Sequence, residues 1–282
     1  MSCPSMPKRT LKGEDVPDVD PLLALAVGLA TRAAEIHEAG RRTILRIEEK
    51  GSPFNLVTDI DRAAERTIVE GIVEARPDDA ILGEEGASRE GTSGVRWVID
   101  PLDGTANYVY GYPAHAVSIG IEVTGTPWVG VVVDTARHVV YGAIRGGRAT
   151  SDGNPIAVSG RSDVATAMVA TGFSFEPAFR ERQGEILTQL LPRVRDVRRS
   201  GAASIDLCAV AAGAVDAYYE AGLAPWDVAA GIVIAEAAGA TVLRGTATGY
   251  PGVSVVAANQ ALFPSLHSLL DEVGFRIEDP ER

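Results

Sequence analysis

The chain has 282 residues, 46% hydrophobic and 23% charged, a composition that excludes a disordered or fibrous protein. Its net charge of −12 argues against nucleic acid and anionic membrane as partners, and directs attention to carboxylates that meet cations. No apolar run approaches the roughly 20 residues of a membrane span, and two cysteines, Cys3 and Cys208, exclude a disulfide scaffold and a Cys-rich zinc site.

Residues 1–19 read as a flexible, polar tail without the apolar core of a signal peptide, so a cytoplasmic protein is expected. Asp20-Pro21 reads as an N-cap followed by proline at the first helical position. Leu22, Leu25, Leu29, Ala33 and Ile36 then recur at helical spacing up to Gly40. Gly51-Ser52-Pro53 marks a loop, and a second helix is expected from Thr58–Asp61 to Pro77. From Arg96 the period changes. Segments 96–99, 117–123, 128–133 and 139–144 are β-rich and lack intervening helices, which predicts a largely antiparallel sheet.

Beyond Ala157 strands and helices alternate. Strands are expected at 165–170, 195–198, 215–219, 241–243 and 253–257. Helices are expected at 178–191, 202–212, 229–238 and 262–273, which is α/β layering.

Several chemistries lack their motifs: there is no P-loop, no G-x-G-x-x-G, no H-E-x-x-H and no G-x-S-x-G elbow. Cys208 sits in an apolar helical stretch, as a small core residue does.

Three acidic segments remain: Gly83-Glu84-Glu85-Gly86, Asp100-Pro101-Leu102-Asp103-Gly104-Thr105-Ala106-Asn107 and Pro225-Trp226-Asp227. In the second, an apolar strand runs into Asp100, and Pro101 stops the pairing. A carboxylate at the end of a buried strand is costly unless a cation meets it. Asp103 on the same turn adds like charge, which a hard divalent cation held by oxygen ligands resolves, with the Leu102 carbonyl between the two acids as a further donor. A helix starting at Thr105 would offer its free N–H groups to phosphate. Taken one by one, the segments also read as an Asx-capped turn, a solvated glutamate pair and an Asp227 helix cap.

Together they match a family pattern. Residues 100–107 fit D-P-[IL]-D-G-T-x-N, Trp226-Asp227-Val228-Ala229-Ala230-Gly231 fits W-D-x-A-x-G, and Asn55 to Asp61 fits (D/N)-x-V-T-x-x-D upstream of Gly83-Glu84-Glu85. Over residues 20–275 the chain resembles the inositol monophosphatase family, magnesium-dependent and lithium-sensitive phosphatases, in its bacterial SuhB-type branch. The resemblance implies an α/β (α+β) fold, a layered α-β-α-β-α sandwich. Residues 20–156 would form an N-terminal α+β half and 157–282 a C-terminal α/β half that contributes Asp227.

It further implies two or three Mg²⁺ ions. Glu84, Asp100 and the Leu102 carbonyl would hold the first; Asp100, Asp103 and Asp227 the second; a third would sit near Glu84. Thr105, with Asp61 behind it and Glu84 beside it, would activate water, unless Thr105 is simply a helix N-cap. Asp103, Gly104, Thr105, Ala203, Glu220 and Asp227 would contact the substrate, Glu220 being equally readable as a solvated loop residue. Trp226 is expected as a core wedge. A small phosphate monoester is the implied partner and a homodimer the implied assembly. The implied reaction is hydrolysis of myo-inositol 1-phosphate. Rivals are 3′-phosphoadenosine 5′-phosphate, fructose 1,6-bisphosphate, histidinol phosphate and a regulatory scaffold. Ala224-Pro225 replaces a histidine that contacts inositol in animal members, Asn55 replaces a common aspartate, and Lys50 falls at a family lysine; these departures bear on the leaving group.

Overall fold

Two sheets share one helical layer between them, and the site lies where that layer meets the ends of the strands. The computed structural model describes residues 18–41, 46–49 and 56–278. The expected tail, the loop at 51–53, Lys50 and Asn55 lie outside them.

In chain order the elements are α1 (Asp20–Gly40), β1 (Ile47–Glu49), β2 (Leu56–Thr58), α2 (Asp59–Ala75), β3 (Ala80–Gly83), β4 (Ser88–Arg89), β5 (Val95–Asp103) and α3 (Thr105–Tyr110). Then come β6 (Ala116–Val123), β7 (Thr126–Asp134), β8 (Val139–Ile144), β9 (Thr150–Ser151), β10 (Asn154–Pro155), β11 (Met168–Thr171), α4 (Pro177–Leu190) and β12 (Asp196–Arg198). The chain continues with α5 (Ala203–Ala211), β13 (Ala217–Leu223), α6 (Pro225–Ala237), β14 (Ala240–Ala247), β15 (Val253–Asn259), α7 (Phe263–Glu272) and β16 (Ile277–Glu278).

The first sheet has the order β10-β9-β8-β7-β6-β5-β3-β4. It is antiparallel as expected, apart from the parallel β3/β5 pair, whose connection passes through β4. The second has the order β12-β11-β13-β15-β14-β16 and is mixed, with β11 parallel to β12 and β13 and the rest antiparallel.

Strand alternation assigns the layers. On β5 to β7, Trp97, Ile99, Ile119, Ile121, Val129 and Val131 face α1 and α2, burying Leu29, Ile68 and Ile72. On the other face Val132 and Ala143 meet Cys208, Ala230 and Ile234 of α5 and α6. The opposite sides of those helices bury Leu207, Val228 and Ile232 against Tyr218, Val255 and Ala257 of the second sheet. Residues one step along, Ala217, Tyr219 and Val256, turn outward to α4 and α7. The result is the α-β-α-β-α sandwich, with α5 and α6 apolar all round because both faces are covered. Two glycines let α6 lie against the first sheet: a Cβ at Gly130 would stand 2.3 Å from the Ala230 carbonyl oxygen, and one at Gly120 2.6 Å from the Ala229 Cβ.

Several local expectations change. Val19, not Asp20, occupies the N-cap of α1; Asp20-Pro21 is already helical, so proline falls at the second position, where its missing N–H is equally harmless. Val164–Thr166 is a 3-10 turn capped by Asp163, which shortens the strand expected at 165–170. The helix expected at 229–238 begins at Pro225, since proline's fixed φ suits the first turn.

Candidate active site

β5 delivers the central acids. Its pairing with β6 runs regularly to Asp100, breaks, and resumes at Asp103. Pro101 lacks the N–H that would continue the ladder. The Leu102 N–H turns back to Asp100 Oδ1 at 3.0 Å. Asp100 and Asp103 are both buried. Gly104 ends the turn at φ 87°, and a Cβ there would meet the Ala114 carbonyl oxygen at 2.7 Å.

Gly104, not Thr105, is the N-cap of α3, so the capping reading of Thr105 fails. Thr105 Oγ1 is 2.9 Å from Asp61 Oδ1 and 3.0 Å from the Leu102 carbonyl oxygen, two acceptors for one proton. Asp61 is held from the other side. Its Oδ2 accepts from the Thr58 N–H at 2.9 Å and the Thr58 hydroxyl at 2.5 Å, the reciprocal half of the capping box that opens α2.

Glu84 follows β3, its N–H donating to the Ile99 carbonyl at 3.1 Å beside Asp100. Glu65 of α2 braces that turn, accepting from the N–H groups of Glu85 (2.8 Å) and Ala87 (3.1 Å). From the central layer, Ser204 on α5 donates its N–H (2.8 Å) and hydroxyl (2.6 Å) to Asp103 Oδ2. Asp227 is the third residue of α6 and accepts from the Ala224 N–H at 2.7 Å, so it closes the first turn rather than preceding it.

These residues converge on a cavity of about 570 Å³. Glu84, Asp100, Leu102, Asp103, Gly104, Thr105, Ala203, Glu220 and Asp227 all line it, and Asp61 lies buried behind Thr105. Among the described lining residues Arg199 is the one basic group. Glu220 is on β13, not in a loop, and accepts from the Tyr218 hydroxyl at 2.8 Å. The Ala203 N–H is directed at Asp103. Trp226, in the first turn of α6, is half-buried on the cavity wall, so it is not the core wedge expected.

Burial dominates the electrostatics. Desolvation raises Asp100 well above the ordinary carboxylate range, and Glu84, Asp103 and Asp227 raise it further. Desolvation also raises Asp227 well above that range, with Asp103 next. Asp103 is raised to about 6, desolvation outweighing its bonds from Ser204, and Glu220 to about 7. Asp61 is raised to about 6 by desolvation despite both threonines. Among the described residues no three His, Cys, Asp or Glu side chains stand together as a ready-made metal cage. The four acids nonetheless face one cavity, and after desolvation Glu84 and Asp103 both push Asp100 and Asp227 further up, an accumulation of negative charge that a hard divalent cation would relieve. The donors are carboxylates and a carbonyl, with no imidazole or thiolate on the described cavity wall.

Sequence reasoning missed Ser204, Glu65 and Arg199. Ser204 directly follows the predicted Ala203 at the start of a helix, a usable signal. Glu65 lies twenty residues before its partner, and nothing local marks it.

A five-layered sandwich whose cleft gathers acids from β3, β5 and α6 around a threonine–aspartate pair defines a class of phosphatase. The chain belongs to the inositol monophosphatase family, whose model matches residues 18–274. It is 41% identical over 276 residues to the inositol-1-monophosphatase SuhB of Mycobacterium tuberculosis, covering 90% of this chain and 95% of that one. It is 40% identical over 228 residues to the Nus factor SuhB of Pasteurella multocida, covering 79% and 85%. The crystal structure of the extragenic suppressor protein suhB from Bartonella henselae superposes with a TM-score of 0.84 at 30% identity, covering 90% of this chain and 99% of that one. The family acts on small phosphate esters, and no helix among the described residues is long and apolar enough to cross a membrane.

Proposed function

We propose that this chain hydrolyses myo-inositol 1-phosphate to myo-inositol and phosphate with Mg²⁺, as a cytoplasmic homodimer inhibited by lithium. The convergence of Glu84, Asp100, Asp103 and Asp227 on one cavity beside the Thr105–Asp61 pair carries the reading. Hard oxygen donors with excess negative charge suit Mg²⁺. Glu84, Asp100 and the Leu102 carbonyl would hold one ion, Asp100, Asp103 and Asp227 a second, and Glu84 would support a third. Bound there, Mg²⁺ supplies charge neutralisation of the phosphate and acidification of water.

The chain's own groups do the rest. Thr105 Oγ1 donates its proton to Asp61 and keeps lone pairs to accept from the attacking water. Asp61 is the acceptor at the end of that path. The N–H groups of Gly104 and Thr105 face the phosphate; with six residues, α3 offers local donors rather than a large dipole. Glu220 and the Ala203 backbone meet the alcohol. Among the described lining residues Arg199 is the one guanidinium, a charge that suits a monophosphate.

The test is phosphate release with Mg²⁺ from inositol 1-phosphate, 3′-phosphoadenosine 5′-phosphate, fructose 1,6-bisphosphate and histidinol phosphate, with Asp100→Asn as control and lithium titrated. Preference for inositol phosphate with lithium inhibition supports the reading. Turnover of another ester moves the substrate, and silence on every ester sinks it. The name of the Pasteurella relative raises a second, non-catalytic role, and such silence would favour it.

A further inference from the structure

Two buried histidines stand behind the acidic turn, outside the cavity. His37, near the end of α1, and His115, just before β6, are fully buried. His37 Nε2 is 2.9 Å from the Pro101 carbonyl oxygen, and its Nδ1 is 3.2 Å from Thr135 Oγ1. His115 Nδ1 is 2.5 Å from the same hydroxyl, and His115 Nε2 meets the Arg41 guanidinium. Desolvation pushes His37 down to about 3 and His115 to about 4, so both rings are neutral.

Neutral rings leave one tautomer for each histidine, while the Thr135 hydroxyl also donates to the His115 carbonyl at 3.1 Å. A guanidinium only donates, so His115 Nε2 accepts and its Nδ1–H donates to Thr135. A carbonyl only accepts, so His37 Nε2–H donates to Pro101 and its Nδ1 is the acceptor facing the Thr135 hydroxyl. The two histidines therefore hold opposite tautomers, one set by Arg41 and the other by Pro101.

The far end of this chain bears on the site through one rigid unit. The Pro101 carbonyl and the Leu102 N–H belong to a single planar peptide. His37 holds its oxygen, and Asp100 Oδ1 accepts from its nitrogen at 3.0 Å. Rotating that peptide would move the Asp100 carboxylate and the Leu102 carbonyl together. Tyr108 of α3 ties in as well, donating from its hydroxyl to the His37 carbonyl at 2.6 Å.

We infer that His37 is a positioning residue, its Nε2–H orienting the Pro101–Leu102 peptide so that Asp100 and the Leu102 carbonyl face a divalent cation, with the Pro101 carbonyl fixing the His37 tautomer. The inference rests on the proposed metal site; its tautomer component stands without it. Groups that orient ligands from behind typically alter metal affinity or turnover by roughly 10- to 100-fold.

The experiment has two arms. Long-range ¹H–¹⁵N NMR of the intact protein reads the tautomers. Nε2–H on His37 with Nδ1–H on His115 is expected, and Nδ1–H on His37 overturns the proposal whatever the enzyme does. Calorimetric Mg²⁺ titration and steady-state kinetics then compare wild type, His37→Phe and His37→Gln, each checked for folding by circular dichroism. His37→Phe is expected to weaken Mg²⁺ binding and lower kcat about tenfold or more with KM within about twofold, and His37→Gln, which keeps an N–H donor, to recover most of both. A folded His37→Phe with wild-type Mg²⁺ affinity overturns the proposal. Thr135→Ser offers a check if the His37 variants do not fold: it retains the hydroxyl and should retain both tautomers and Mg²⁺ affinity, while loss of both tautomers overturns the proposal. If wild type binds Mg²⁺ but hydrolyses no ester, the functional reading fails while this inference is still decided by the tautomers and the titration.

Discussion

Thr105 Oγ1 lies 2.9 Å from Asp61 Oδ1, joining the first residue of α3 to a buried acid 44 residues earlier in the chain. Thr58 fixes that acid from behind at 2.9 and 2.5 Å, so its only contact toward the cavity runs through threonine among the described bonds. Asp61→Asn should lower kcat by about 10² or more, the usual worth of a positioned base, with the fold intact by circular dichroism.

The pH dependence follows from the same acid. Asp61 must be ionised to accept a proton and is raised to about 6, so kcat should climb with pH through about 6 and then level. Thr105→Ser should keep this limb and Thr105→Val should lose turnover, read from pH–rate profiles at saturating Mg²⁺.

Stability should show the opposite trend. Asp61, Asp103 and Glu220 have folded-state pKa values of about 6, 6 and 7, above their ordinary 3.8, 3.8 and 4.5. Between those limits the folded state binds more protons than the unfolded one, so stability is highest below about pH 4 for these groups and falls as pH rises toward 7. In chelator Tm should drop over that range, and added Mg²⁺ should recover it. Asp100→Asn removes one of the repelling buried charges and should raise Tm in chelator while abolishing turnover.

The contact between α6 and the first sheet has no room for a methyl group. Gly130→Ala would drive a Cβ against the Ala230 carbonyl oxygen at 2.3 Å. We expect a loss of about 1–3 kcal/mol by chemical denaturation, the usual cost of overpacking. A fall in kcat should accompany it, because Asp227 rides on the same helix.

Ser204→Ala removes one of the two Ser204 donors to Asp103 and leaves the backbone N–H. Loss of a bond to a charged acceptor costs about 1.5–3 kcal/mol, and the expected signs are a weaker Mg²⁺ affinity and a lower kcat.

Helices and strands with strong periodicity were legible along the chain. Leu22 to Gly40 buries one stripe of α1, whereas the strands from Val117 to Val133 are buried on both faces and read as near-continuous apolar runs, and both are local patterns. The acidic turn was legible because Asp100, Pro101 and Asp103 interact with one another. Element starts were less so: Val19 displaced Asp20 as a cap, and Pro225 rather than Ala229 opened α6, since a proline fits either of two positions in a first turn.

The sequence by itself determined which acids are present, where β5 breaks and what family the motifs belong to, because each of those depends on residues a few positions apart. Only the tertiary structure decided that Thr105 serves Asp61 instead of capping a helix, that Glu220 is desolvated on a strand, that Ser204 grips Asp103 across 101 residues and that His37 reaches Pro101 across 64. Those pairings, and the pKa shifts that follow from them, depend on which strand ends and helix starts packing brings together, and no short stretch of chain carries that information.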